Sequence, residues 1–278
     1  MKKIRHKINL FFKKVSESSI GIPLAVLIGI SIIVLGLSLP YYMYDFNNFY
    51  PQILAEAHGM MFDIAVIGIL IFWLNAQTDK KRRIRTYIDE IDDFRLWQSE
   101  EAAFRTAGNI KRLNRHKIYD LNLAECHMVR TNLNYVILRA ANLNLANITH
   151  SNLISVDLEQ ARMNQTNFSY STLNHGIMKN SYASGANFQG ACLINTDMEN
   201  TLLIKANFED AILMESNLRN CDLDGANLLN CNLFKADLRG VKGLTIEQLL
   251  EAKSLYRAKF DDDIMRELQA QKPELLTK

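Results

Sequence analysis

The stretch A-N-L-N-L-A-N-I-T-H-S-N-L, Ala141 to Leu153, decides the fold. Leu143, Ile148 and Leu153 stand five apart, and two residues before each is a small one: Ala141, Ala146 and Ser151. Between them lies Asn142, Asn147 or Asn152. Read outward in both directions, the same register runs from Leu123 to Leu238, with 24 apolar positions and no insertion or deletion. Ala183 is its weakest member, and Leu121, Val136 and Val156 are the bulkiest residues in the small slot. The slot between holds Asn or Asp in 15 of the 24 units.

A five-residue return is neither the 3.6 of a helix nor the 2 of a strand. Inside one unit, however, the small and large residues are two apart. On an extended segment such a pair shares a face, and the residue between them points away. Each unit therefore reads as a three-residue extended piece, apolar inward and Asn or Asp outward. The other two residues turn the chain. Short Asn and Asp side chains suit that place because they hydrogen-bond nearby turn backbone. A chain that turns equally every five residues winds into a coil whose layers bury their inward residues against one another.

The units Ala141-Asn142-Leu143, Ala226-Asn227-Leu228 and Ala236-Asp237-Leu238 resemble the pentapeptide-repeat family, A-(D/N)-L-x-x. The resemblance implies a mainly β fold, a right-handed quadrilateral β-helix with four units per coil. For this chain it implies about six coils and, at roughly 4.8 Å per layer, a rod about 29 Å long. Ala183 is expected to be the loosest point of the core, with Tyr182 covering an outer face.

The net charge of +2 hides an asymmetry, with six Lys/Arg and no acid in residues 1–14. The repeat region, 118–243, carries nine Lys/Arg and twelve Asp/Glu. Cys126, Cys221 and Cys231 occupy the small inward slot and read as small hydrophobes in a reducing compartment. Cys192 falls in the outward slot. No cysteine has metal-ligand spacing.

Ahead of the coil the chain reads as a membrane anchor. Residues 1–19 are basic and suit an anionic membrane surface. Residues 20–39 are uncharged and long enough to span a bilayer. A cleaved signal peptide is the rival, but Leu37-Ser38-Leu39-Pro40 leads into tyrosines instead of a small-residue cleavage site. Residues 40–52 hold Tyr41, Tyr42, Tyr44, Phe46, Phe49 and Tyr50 and no Lys or Arg, as in an external loop with an aromatic belt. Residues 53–76 form a second span with Trp73 near its end. Lys80, Lys81, Arg82, Arg83 and Arg85 follow. Positive charge flanks the pair on both outer sides, so the expectation is a transmembrane α-hairpin in a bacterial inner membrane, both termini cytoplasmic.

The second span holds Glu56, His58 and Asp63, with Glu56 and Asp63 seven apart on one helical face. Intramembrane carboxylates point to an ion or proton path. The alternative is a membrane boundary near Gly59, with Asp63 one turn deep and structural. Ala25-x-x-x-Gly29 and Ala55-x-x-x-Gly59 suit close helix contact in a homo-oligomer. Residues 77–116 read as an amphipathic helical linker, with Ile84, Tyr87, Ile88, Ile91 and Phe94 on its stripe. Ser99 starts a second helix through Ala103, Ala107, Ile110 and Leu113. This linker either caps the open end of the coil, taken as 117–243, or forms a dimer contact. The register breaks at Gly240 and Gly243. Residues 244–278 read as a helical cap, with a capping box at Thr245-x-x-Gln248, a helix start at Asp261 and a stop at Pro273.

There is no phosphate loop, no His-x-x-x-His pair and no nucleophile elbow, so no enzyme, cofactor or metal site is expected. His127, His150 and His175 read as surface histidines. The segment between the spans lacks a potassium-filter sequence. Three functions remain: a membrane-anchored scaffold for a cytoplasmic protein partner; a pore or ion-conducting oligomer using Asp63, Glu56 and His58; and the DNA-mimic topoisomerase binding that the resemblance implies for some relatives. The weak acidity of the repeat surface argues against the last, and nothing points to nucleic acid as a partner.

Overall fold

The computed structural model describes residues 46–277 together with positions 28, 29, 31, 32, 35, 36, 39, 43 and 44. The basic segment expected over 1–19, and most of the first span expected over 20–39, lie outside the described residues. The chain divides into two compact units, Met1–Thr78 and Asp79–Lys278.

The first unit contains most of helix α1, Phe46–Asp93. Among the described residues α1 is the one helix long and apolar enough to cross a membrane, and its apolar window is entirely unburied. The described structure thus carries one such helix where a two-span hairpin is expected. Residues 46–52, read above as loop, are helical. Nothing between Phe46 and Gln52 breaks a helix except Pro51, which stands near its start.

The second unit is built on the five-residue register. The middle residue of each unit pairs in parallel with the residue twenty ahead, from Asn122 with Asn142 through Asn217 with Asp237. Twenty residues are four units, so each coil has four faces. Three hydrogen bonds join a unit to its neighbour. Leu123 N–H donates to Asn142 O, Asn142 N–H donates to Leu121 O, and Glu125 N–H donates to Asn144 O, at 2.6, 2.8 and 2.9 Å. The expected three-residue extended pieces are shorter than anticipated. Among the described residues the ladder consists of isolated single-residue bridges, with no longer strand. Two of every five residues are consumed by the turn.

That turn is a β-turn closed by the N–H of the next unit, as when Cys126 N–H donates to Leu123 O at 3.2 Å. Its third residue has positive φ in all 24 units, and in only four of them is it glycine: Gly185, Gly190, Gly225 and Gly240. The others include Tyr135 (φ 61°), Leu145 (φ 62°) and Lys205 (φ 56°). The outward Asn or Asp locks the turn from the other side. In fourteen of the fifteen units that have one, its Oδ1 accepts the N–H two residues on. The exception is Asn152, because Ile154 N–H donates to Asn134 of the preceding coil at 2.8 Å.

The inward residues stack in four columns. One is leucine throughout, from Leu133 to Leu233, and another stacks Phe168, Phe188 and Phe208 with centroids 5.2 and 5.0 Å apart. Those spacings are close to the strand spacing expected for one coil on the next. Ala183 is completely buried despite its size. In the small slot, buried hydroxyls donate to backbone carbonyls of the coil before: Thr166 to Leu143 O (2.7 Å), Ser171 to Ile148 O (2.6 Å) and Thr201 to Met178 O (2.6 Å). Among the described residues no buried side-chain N or O is left without a partner, which removes the usual cost of polar atoms in a core.

Capping segments pack on both ends of the coil. Helix α2, Glu100–Arg115, is capped by Ser99, whose hydroxyl oxygen accepts Ala102 N–H at 3.1 Å. It buries Ile110 and Leu113 against the first coil, together with Ile91 of α1. Asn114 takes the place of a missing strand: its Oδ1 accepts Ile137 N–H (2.7 Å) and its Nδ2 donates to Ile137 O (2.9 Å). Arg95 donates to Asn122 O and Ala124 O. At the far end the ladder continues past the break at Gly240 and Gly243. Lys242, Ser254 and Lys259 bridge Asp222, Asn232 and Asp237. The last two offsets are 22 residues, because the short helix α3, Ile246–Leu250, replaces one face. Residues 253–260, expected to be part of a helical tail, therefore begin a seventh coil. Thr245 and Gln248 form the capping box of α3. Helix α4, Asp262–Gln271, and the 3-10 turn Pro273–Leu276 follow, and Leu255 N–H donates to Leu275 O at 2.9 Å.

Candidate functional site

Because the inward half of every unit is spent on the core, any recognition falls to the outward slots. These line up in columns twenty residues apart, and the four faces differ in chemistry. One carries an amide ladder, in which Asn207 Nδ2 donates to Asn187 Oδ1 (3.2 Å) and Asn227 Nδ2 to Asn207 Oδ1 (2.9 Å). The next but one is charged and largely self-neutralised. Arg139 meets Asp157 at 2.6 Å, and Lys179 meets Asp197 and Glu199 at 3.0 and 3.2 Å. Arg239 holds the Asp237 carboxyl below its usual range through a side-chain hydrogen bond, against the opposing effect of burial.

The face between these two turns apolar toward the C-terminal end. Cys192 and Ile212 stand in its bridging column, and Ile194, Met214, Phe234 and Tyr256 follow one another in the first turn position of successive coils. Met214, Phe234 and Tyr256 form one wall of an open hollow of ≈ 460 Å³ completed by Asn232, Ser254, Arg257 and Thr277. The Phe234 and Tyr256 rings lie 5.6 Å apart. Lys235 sits over the Phe234 ring and Arg257 over the Tyr256 ring, at 5.0 and 5.2 Å. Lys235 is also paired with Glu215 at 2.8 Å. Such a surface offers aromatic area with cationic edges, which suits a protein segment better than bond-making chemistry.

Glu56, His58 and Asp63 all lie exposed on α1. Glu56 and Asp63 are two turns apart on one face, about 10 Å of helix rise. His127 bridges Asn147, His150 stacks on Tyr170 at 5.1 Å, and His175 is exposed at a turn. All four cysteines are free. Burial pushes the thiols of Cys126 and Cys221 up to about 11 and about 12, and that of Cys231 higher still. Among the described residues no three His, Cys, Asp or Glu side chains are grouped to hold a metal. Phe234, Tyr256 and Arg257 are the residues that reading along the chain misses. Met214 and Phe234 show a signal only when the outward slots are aligned at twenty residues.

A model of the pentapeptide repeat region matches residues 151–228. Among solved structures, the chain is similar to trypsin-treated QnrB1, a plasmid-mediated fluoroquinolone resistance protein. The identity is 16% over 54% of this chain and 83% of that one, with a TM-score of 0.41. It is similar to Rfr23, a pentapeptide repeat protein of the cyanobacterium Cyanothece 51142, at 19% identity over 56% and 99% of the two chains, TM-score 0.21. A pentapeptide repeat protein of the Arabidopsis thaliana thylakoid lumen shares 26% identity over 37% of this chain and 71% of its own, TM-score 0.24. No curated protein sequence matches this chain.

Proposed function

Through its repeat region this chain belongs to the pentapeptide-repeat family, and from that premise we propose that it is a non-enzymatic scaffold, anchored in a membrane, whose coil captures a protein partner. The reading takes the coil as right-handed and the N-terminal segment as a two-span hairpin in the bacterial inner membrane, with both termini in the cytoplasm. The unburied apolar length of α1 and the cations after it support the anchoring. The observation that carries the scaffold role is the apolar row Ile194, Met214, Phe234 and Tyr256 on successive coils, which puts two aromatic rings side by side in turn slots that are mostly polar elsewhere on the coil. Aromatic side chains in a half-buried hollow are the usual energetic centre of a protein interface.

The test is affinity capture of the tagged full chain from native membranes, beside Phe234→Glu and Tyr256→Glu variants. A protein retained by the native chain and lost by both variants, with the coil still folded by circular dichroism, supports the reading. Identical captured sets would sink it. A second reading, a pore, is favoured by Glu56 and Asp63 sharing one face of α1. It requires that expression dissipate ion gradients and that Asp63→Asn abolish this effect.

A further inference from the structure

We propose that Lys80, Lys81, Arg82, Arg83 and Arg85 form a collar that binds the phosphate headgroups of anionic phospholipids; this rests on the reading of α1 as a membrane span. Five cations occupy six successive positions of one helix. At about 100° per residue they point to every side of it. All five are exposed. An ordinary solvated helix face interleaves cations with acids three or four positions on. Here, among the described residues, only Arg85 has a carboxylate within ion-pair distance, Asp89 at 3.9 Å. The next acids along the helix are engaged elsewhere: Glu90 with Arg105 and Asn109, Asp92 with Arg95. What sets the cluster apart from the coil is density: the nine Lys and Arg of residues 118–243 are never adjacent, and Arg139, Lys179, Lys235 and Arg239 among them have acidic partners.

Lys80, Lys81, Arg82 and Arg83, which meet no carboxylate among the described residues, point to all sides of the helix and call for an external anion that can approach from each. In the chain the collar follows the apolar run 64–74 after five residues, Asn75 to Asp79, about 8 Å of helix rise, so headgroups of the bilayer that takes up that run are the anions at hand. A nucleic acid would meet one side of a helix, and free phosphate would gain nothing from the adjoining apolar segment.

The experiment uses the full chain purified in mild detergent, offered phosphatidylglycerol or phosphatidylcholine in mixed micelles, with bound lipid counted by native mass spectrometry. The comparison is a variant combining Lys80→Gln, Lys81→Gln, Arg82→Gln and Arg83→Gln. The native chain is expected to retain phosphatidylglycerol about tenfold better than phosphatidylcholine, and the variant to lose that preference. Both are expected to stay in membranes washed with alkaline carbonate. Equal preference in native chain and variant overturns the collar, as does full displacement of the lipid by inorganic phosphate or tighter binding of duplex DNA. Release of the native chain by carbonate overturns instead the span on which the collar rests.

Discussion

The residue that sets the character of the coil is the third residue of each turn. Its left-handed backbone costs an ordinary L-residue roughly 1 kcal/mol, less for Asn. Asn180, Asn200 and Asn220 already fill one such column, with Asn200 Nδ2 donating to Asn180 Oδ1 at 3.2 Å. Gln160 precedes them at φ 59°. Gln160→Asn is expected to extend that ladder and stabilise the fold by about 0.5–1 kcal/mol, measured by denaturant unfolding. Gly190 is the converse case: at φ 62°, an added Cβ would come within 2.7 Å of the Tyr170 ring. Gly190→Ala should destabilise by about 1–2 kcal/mol, and a Tyr170→Ala background should recover the steric part. The cysteines give a third test. In the native protein at pH 8, iodoacetamide should label Cys192 alone, and in denaturant all four. The Cys126 and Cys221 thiols have folded values above the unfolded value of 9.0. Their contribution to stability is therefore complete below pH 9 and is lost as pH rises through about 11 to 12.

At the scale of elements, the end helices matter most for what they do to exposed backbone. Asn114 satisfies both groups of Ile137. Asn114→Ala would leave a half-buried edge N–H and C=O unpaired and should cost about 1–2 kcal/mol, seen first as faster amide exchange in the first coil. Glu90 ties α1 to α2. Its carboxyl is held below the ordinary 4.5, chiefly by the Asn109 hydrogen bond and then by Arg105. A lowered folded value means that its contribution is full above about pH 4.5 and disappears as acid protonates it, so Glu90→Gln should flatten the acid limb of the unfolding curve. The helix starts at Ser99 and Thr245 were readable because capping is local chemistry. So was the inside–outside alternation, since Leu143 and Ala141 need only their own unit. The roles of Asn114 and Arg95 were not readable, because their partners are 23 and 27 to 29 positions away. The left-handed turn residue was hidden by its variety, Tyr135 in one unit and Leu145 in another. The seventh coil was hidden by the two-residue shift that α3 introduces before Ser254 and Lys259.

For the whole molecule, the period that matters is twenty and not five. Deleting residues 181–200 removes one complete coil and joins Phe168 to Phe208 in an intact stack. Deleting only 181–185 keeps apolar residues inward but shifts every later unit to the next face. It breaks the phenylalanine column, within which Phe188→Ala alone should cost about 3–5 kcal/mol, whereas the Lys179 ion pairs are lost in both variants. The longer deletion is therefore expected to melt at the higher temperature, the reverse of what the number of residues removed suggests. The same stacking logic bears on the two terminal layers. Asn114 and Arg95 at one rim, and Gln248, Leu275 and the partial last coil at the other, occupy part of the ladder onto which another chain could dock. Without those stoppers the coil would be a seed, ready to lengthen copy upon copy into a fibre. With them, growth end on end is obstructed at both rims, and the length of the stack is written into the chain.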